Sequence, residues 1–256
     1  VYWFELALGF GLILLAAALL LIFSLTQKAQ RRSRARTRVV LRPIRAMQRL
    51  QRAIGLAVED GSRLHVSLGK SSLVSQTSAS ALVGLSALER IGSLSSISDR
   101  APVATSGDGT LAVLSQDTLR ASYRLSSIPE QFDPNQARLS GPTSFSYVAG
   151  TLPVIRDERV SANLLIGNFG PEVALLTDAA NEEGSFTLAA SDSLAAQAVL
   201  YATTRDPLIG EELFAVPAYL QPHSVYQASL RTQDVLRWVV VAVLIGGSLL
   251  SFLGYL

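Results

Sequence analysis

In the stretch RVSANLLIGNFGPEVALLTDAANEE (Arg159–Glu183), a short apolar run from Arg159 to Ile166 passes through Gly-Asn-Phe-Gly into a helical pattern from Pro171 to Glu183. A run this short, bounded by glycine, reads as a buried strand, and apolar residues recurring every three to four positions read as a helix. Pro171 suits a first helical turn. Strand, tight turn, helix is the unit from which parallel sheets are built.

The same alternation extends both ways. Leu64 to Leu68 is expected as a strand, followed by a Ser- and Ala-rich helix from about Ser72 to Leu94. Pro102 to Thr105 is a second short strand, and Asp108 caps a helix to Tyr123. Ser126 to Pro142, with three prolines, reads as a loop, and Phe145 to Leu152 fits neither pattern clearly. A strand at Ser185 to Ala190 and helices at Leu194 to Thr204 and Leu208 to Leu220 complete the series. The expected fold class is an α/β domain with a mainly parallel sheet.

Before it, Pro43 to Asp60 forms a helix with two faces. Ile44, Met47, Leu50, Ile54, Ala57 and Val58 share one arc, and Arg42, Arg45, Arg49 and Arg52 lie roughly opposite. Two roles are open for it: lying on anionic lipid headgroups through those arginines, or packing its apolar side on the domain.

The chain is 49% apolar and 16% charged, too apolar for an ordinary globular domain, and the excess sits at the ends. Leu6 to Leu25 and Trp238 to Leu256 carry no charge and approach the roughly 20 residues that cross a bilayer. Ten basic residues and no acid follow the first run between Lys28 and Arg52, whereas acids outnumber bases beyond it. By the positive-inside rule this predicts flanking N-terminal and C-terminal transmembrane helices in a bacterial inner membrane, with external termini and a cytoplasmic centre. The expected division is residues 1–27 anchor, 28–61 basic collar and juxtamembrane helix, 62–223 α/β domain and 224–256 a helix continuing into the second span. Gly9 and Gly11 in one span, and Gly246 and Gly247 in the other, would allow close helix packing.

The absence of cysteine excludes disulfides, thiolate metal sites and cysteine nucleophiles. His65 and His223 are the only histidines, so no metal site and no cofactor is expected. The basic collar lacks interleaved aromatics, and no nucleic-acid partner is expected. Gly167, Asn168, Phe169, Gly170 and Glu172 are the candidate ligand-binding residues, because free N–H groups at a helix start hold anions. No lysine follows them and Glu172 would repel phosphate, so a purely structural turn is the stronger reading. Glu211 and Glu212 open a helix whose dipole favours acids there. His65 stands near no recognisable nucleophile motif, and no catalytic residue is assigned.

Several phrases together carry a resemblance: Arg42-Pro43-Ile44, Gly55 to Gly61, Leu64 to Gly69, Gly167 to Glu172, Gly210 to Ala215 and Ser229 to Trp238. The chain resembles an uncharacterised bacterial two-pass membrane family with a domain of unknown function. The resemblance implies that architecture and supplies no activity or catalytic residue. Two function classes follow. One is a membrane-anchored scaffold or accessory subunit, forming a homo-oligomer or joining a larger membrane complex. The other is a membrane-tethered α/β ligand-binding or enzymatic domain.

Overall fold

Five strands, β1 (Arg63–Gly69), β2 (Val103–Ser106), β3 (Ala137–Leu139), β4 (Val160–Asn168) and β5 (Phe186–Ser191), form one sheet in the order β3-β2-β1-β4-β5. Every pairing between neighbours is parallel. The computed structural model describes residues 18–25, 41–96, 98–221 and 224–252. Arg42–Leu220 is one compact unit, and Val1–Leu41 with Gln221–Leu256 is another.

Parallel strands need crossovers, and helices supply them on both faces. Leu64, Val66, Leu68, Leu164, Ile166 and Leu188 share one core with α1 (Arg45–Glu59), α2 (Ser78–Ser95), α3 (Gly109–Leu125) and α7 (Glu212–Leu220). On the other face Leu165 and Ala189 pack with α4 (Ser144–Asp157), α5 (Val173–Glu182) and α6 (Leu194–Thr203). The crossover after β3 therefore changes face, and the strand order reverses between β1 and β4. Both parts of the predicted strand–turn–helix unit are present, with β4 starting one residue later and ending two residues later than expected.

Capping explains the helix starts. Asp108 accepts from the Leu111 N–H, as anticipated, and Thr143 with Ser146 forms a reciprocal capping box that starts α4. That box and the interior Pro153 lie where the sequence pattern was ambiguous. β3 falls within the expected loop: three residues at an edge carry too little pattern to read.

The helix expected from Pro43 to Asp60 is α1, and Gly61 ends it at φ +62°. Ala46, Met47, Leu50, Ile54 and Ala57 are buried in the core, so its apolar side packs on the sheet.

Among the described residues, no helix is long and apolar enough to cross a membrane. This overturns the expected pair of flanking transmembrane helices, and with it the two-pass placement in an inner membrane. Of the first apolar run only 18–25 is described, a helical segment of eight residues. The C-terminal helix α8 (Ser224–Phe252) carries Arg231, Asp234 and Arg237 in its first half. Gly9, Gly11 and the basic residues Lys28 to Arg38 lie outside the described residues. Gly246 and Gly247 lie in α8, and a Cβ on Gly247 would meet nothing within 4 Å.

Candidate functional site

In open α/β sheets, ligands bind beyond the carboxyl ends of the strands where the order reverses. Here that point lies between β1 and β4, and it holds Gly167, Asn168, Phe169, Gly170 and Glu172. The chain fills it with its own groups. Asn168 Nδ2 donates to Asp192 Oδ1 at 2.7 Å, its backbone N–H donates to Ser71 Oγ at 2.7 Å, and Phe169 is buried. A Cβ on Gly167 would lie 2.1 Å from the Leu68 carbonyl oxygen, so the two strand ends touch directly.

The anion site expected at the start of α5 is filled by Glu172. Its carboxylate turns back to accept from the Gly170 N–H at 3.2 Å and pairs with Lys70 Nζ at 3.1 Å. Lys70 also donates to Ser144 Oγ. Burial pushes the Glu172 pKa up, but hydrogen bonds from backbone N–H, Lys70 and Ser144 outweigh it and hold the group below the ordinary carboxylate range. Nothing in the sequence spacing joins Lys70 to Glu172; the parallel pairing of β1 with β4 does.

Beneath this edge, on the α4 face, a polar chain crosses the sheet. The Asn163 carbonyl oxygen can only accept, so His65 Nδ1–H donates to it at 2.9 Å, leaving Nε2 to accept from Thr105 at 2.9 Å. Thr105 then accepts from Tyr147 at 3.2 Å, and Tyr147 accepts from Ser67 at 2.5 Å and from the Gly69 N–H at 3.2 Å. At the far end Asn163 Nδ2 donates to Ser185 Oγ at 2.8 Å, and Ser185 donates to the Ala180 carbonyl at 2.9 Å. Every hydroxyl, ring and amide in this assignment donates to the next member, so all are satisfied without a charge. Burial lowers the His65 pKa to about 4, only partly opposed by its bond to Asn163, and raises that of Tyr147. The histidine is thus neutral near pH 7 and fully buried. Replacing Tyr147 by Phe should cost about 1–3 kcal/mol by orphaning the Gly69 N–H and the two hydroxyls. Urea denaturation should show this as a lower midpoint at unchanged slope.

The arginines expected to share one surface divide. Arg45 is exposed, and Arg42 contributes its carbonyl, which accepts from Tyr219 Oη at 2.6 Å. Arg49 and Arg52 instead line a cleft of about 620 Å³ between α1, the start of β5 and the loop after α6. Arg205 joins them there, and Asp206 pairs with Arg49. Neither Arg52 nor Arg205 makes an ion pair among the described residues. Thr187 Oγ1, also in the cleft lining, is buried and makes no hydrogen bond among those residues. Sequence reasoning found Arg49 and Arg52 by their helical spacing. It missed Arg205, 153 positions beyond Arg52, because only the packing of α1 beside β5 joins them.

No group of three or more His, Asp or Glu among the described residues could hold a metal ion. A family model described as Domain of unknown function (DUF6754) matches residues 3–255. No curated protein and no solved structure matches the chain.

Proposed function

The chain belongs to the DUF6754 family, and we propose that its α/β domain is a ligand-binding module rather than an enzyme. One observation carries this reading. The carboxyl edge of the sheet, where α/β enzymes place their chemistry, is closed by Lys70, Glu172 and Asn168, whereas an open cleft at another edge is lined by Arg52 and Arg205, which make no ion pair among the described residues. A preformed cavity of that size with a few convergent polar groups is the usual form of a small-molecule site. Thermal melting of the full chain should show stabilisation by small anions and none by neutral or cationic compounds. At a hundredfold excess over Kd the gain is about 2.7 kcal/mol, or roughly 5 °C or more for a domain of this size. The shift should survive Lys70→Gln. Loss of the shift in that variant, or no shift with any anion, would overturn the reading.

A second reading, an assembling scaffold or accessory subunit, draws on a groove of about 340 Å³ between α2 and α3, lined in part by Leu82, Leu85, Leu114 and Ala121. Leu82 is 57% exposed, and Val113 on α3 is 64% exposed. Native mass spectrometry of the full chain separates the two: assembly predicts oligomers that Leu82→Glu dissolves, and the binding module predicts a mass independent of that change.

A further inference from the structure

Resting on the reading of the arginine-lined cleft as a ligand site, we infer that its ligand is a phosphorylated small molecule. Arg52 and Arg205 take the phosphate, and Asp206 sets the affinity by holding Arg49. Three arginines from two separate parts of the chain line the cleft beside one carboxylate, that of Asp206, which pairs with Arg49. Arg49 and Arg52 stand three positions apart on α1, the spacing that puts side chains on one helix face about 5–6 Å apart at Cβ. Guanidinium pairs with carboxylate and phosphate alike through two parallel N–H bonds, but the two oxygens of a carboxylate are used by one guanidinium, whereas the three of a phosphate can serve Arg52 and Arg205 together.

The C-termini of α5 and α6 approach the same cleft through Asn181 and Thr204, and each helix end contributes roughly half a negative charge. Part of that is already answered: Asn181 Nδ2 donates to the Thr203 carbonyl, and the Thr204 N–H donates to Leu200. Three guanidinium groups, less one carboxylate and about one unit from the two helix ends, leave a balance of about +1, so the cleft stays positive. The volume exceeds what a single phosphate fills, and Leu56, Ala53 and Phe186 give the remaining wall an apolar character. An organic moiety lying against Phe186 accounts for both features.

Arg49 already has a partner within the cleft. Its guanidinium donates to Asp206, whose side chain is only 20% exposed, while that of Arg49 is 45% exposed. A bound phosphate competes with Asp206 for Arg49 and is repelled by it. Asp206 therefore weakens phosphate binding, the opposite of what a carboxylate needed only to orient a binding arginine would do.

The probes are phenyl phosphate, inorganic phosphate and benzoate, titrated calorimetrically into the full chain, with circular dichroism to verify that each variant is folded. Phenyl phosphate should bind saturably and at least tenfold more tightly than inorganic phosphate, with Phe186→Ala erasing most of that margin. Arg52→Gln and Arg205→Gln should each weaken it about tenfold, equivalent to about 1.4 kcal/mol. Asp206→Asn should tighten it about threefold. Vesicles containing phosphatidic acid distinguish the source of the phosphate: binding displaced by phenyl phosphate assigns it to a lipid headgroup, and no vesicle binding assigns it to a free metabolite, the chemistry being the same. Benzoate binding as tightly as phenyl phosphate, and lost in the same variants, would overturn the phosphate assignment while leaving the binding module standing. Phenyl phosphate binding unaffected by both arginine changes would place the site elsewhere and overturn both.

Discussion

Replacing Gly69 by Ala should destabilise the domain by at least about 3 kcal/mol, a large share of the 5–15 kcal/mol that holds a typical domain together. Gly69 ends β1 at φ +64°, a conformation that costs an L-residue about 1–2 kcal/mol. Its added Cβ would also lie 2.2 Å from the Asn168 carbonyl oxygen and 3.0 Å from the Phe169 ring. Both are fixed: the Asn168 carbonyl accepts from the Lys70 N–H at 2.8 Å, and Phe169 is buried beside Tyr147. Relief would require parting β1 from β4, the two central strands, and would shift the Gly69 N–H from Tyr147. Gly55→Ala is the control, because a Cβ there meets nothing within 4 Å and helix propensity favours alanine. Urea denaturation should place the two variants on opposite sides of the parent. Equal midpoints for Gly69→Ala and the parent would show that the junction relaxes freely.

Acidification should remove about 3 kcal/mol of stability between pH 6.5 and pH 4, through His65. Burial lowers its folded pKa to about 4 from an ordinary 6.5, opposed by the Asn163 bond and by the charge of Glu158, and reinforced by Arg138. In that window the unfolded chain takes up a proton that the folded chain refuses, so stability is full above pH 6.5 and falls as pH drops. Below about pH 4 both states are protonated and the loss is complete; a shift of this size is worth about 3 kcal/mol at 1.36 kcal/mol per unit.

The carboxylates act lower. Burial raises the Glu158 pKa, but its pairing with Arg138 and Arg63 more than compensates, so its stabilisation is present above the ordinary carboxylate range and is lost only as pH falls through its lowered pKa. Between about pH 6.5 and 5 the histidine effect therefore stands apart. With only two histidines in the chain, the His223→Gln variant leaves one ring signal in NMR. That signal should stay flat until about pH 4. A midpoint near 6.5 would mean that the ring is open to water.

The alternation of short apolar runs with helical periods is a local property, and it was legible almost throughout: β1, β2, β4 and β5 all lie within a few residues of where their apolar runs placed them. β3 was not, because three residues at an edge make no pattern, and α4 was not, because Pro153 interrupts its propensity and only the Thr143 box starts it. The paired faces of α1 were legible too, but periodicity cannot say what covers a face. Its apolar side meets the sheet, and Arg49 and Arg52 on its polar side meet Arg205 and Asp206.

The apolar ends were read as two spans from composition. Among the described residues no helix is both long and apolar enough to cross a membrane, and α8 carries Arg231, Asp234 and Arg237 within its length. The alternating polar residues His65, Ser67 and Thr105 carry no mark in sequence of being buried. They are enclosed because the crossover after β3 brings α4, with Tyr147, over that face. The sequence by itself determined which segments become strands and helices and where they turn, since those choices depend on neighbours a few residues apart. Only the tertiary structure decided which polar groups are satisfied, which ends are closed and which arginines face an open cleft, because hydrogen bonds and charge depend on distances in space between residues far apart in the chain.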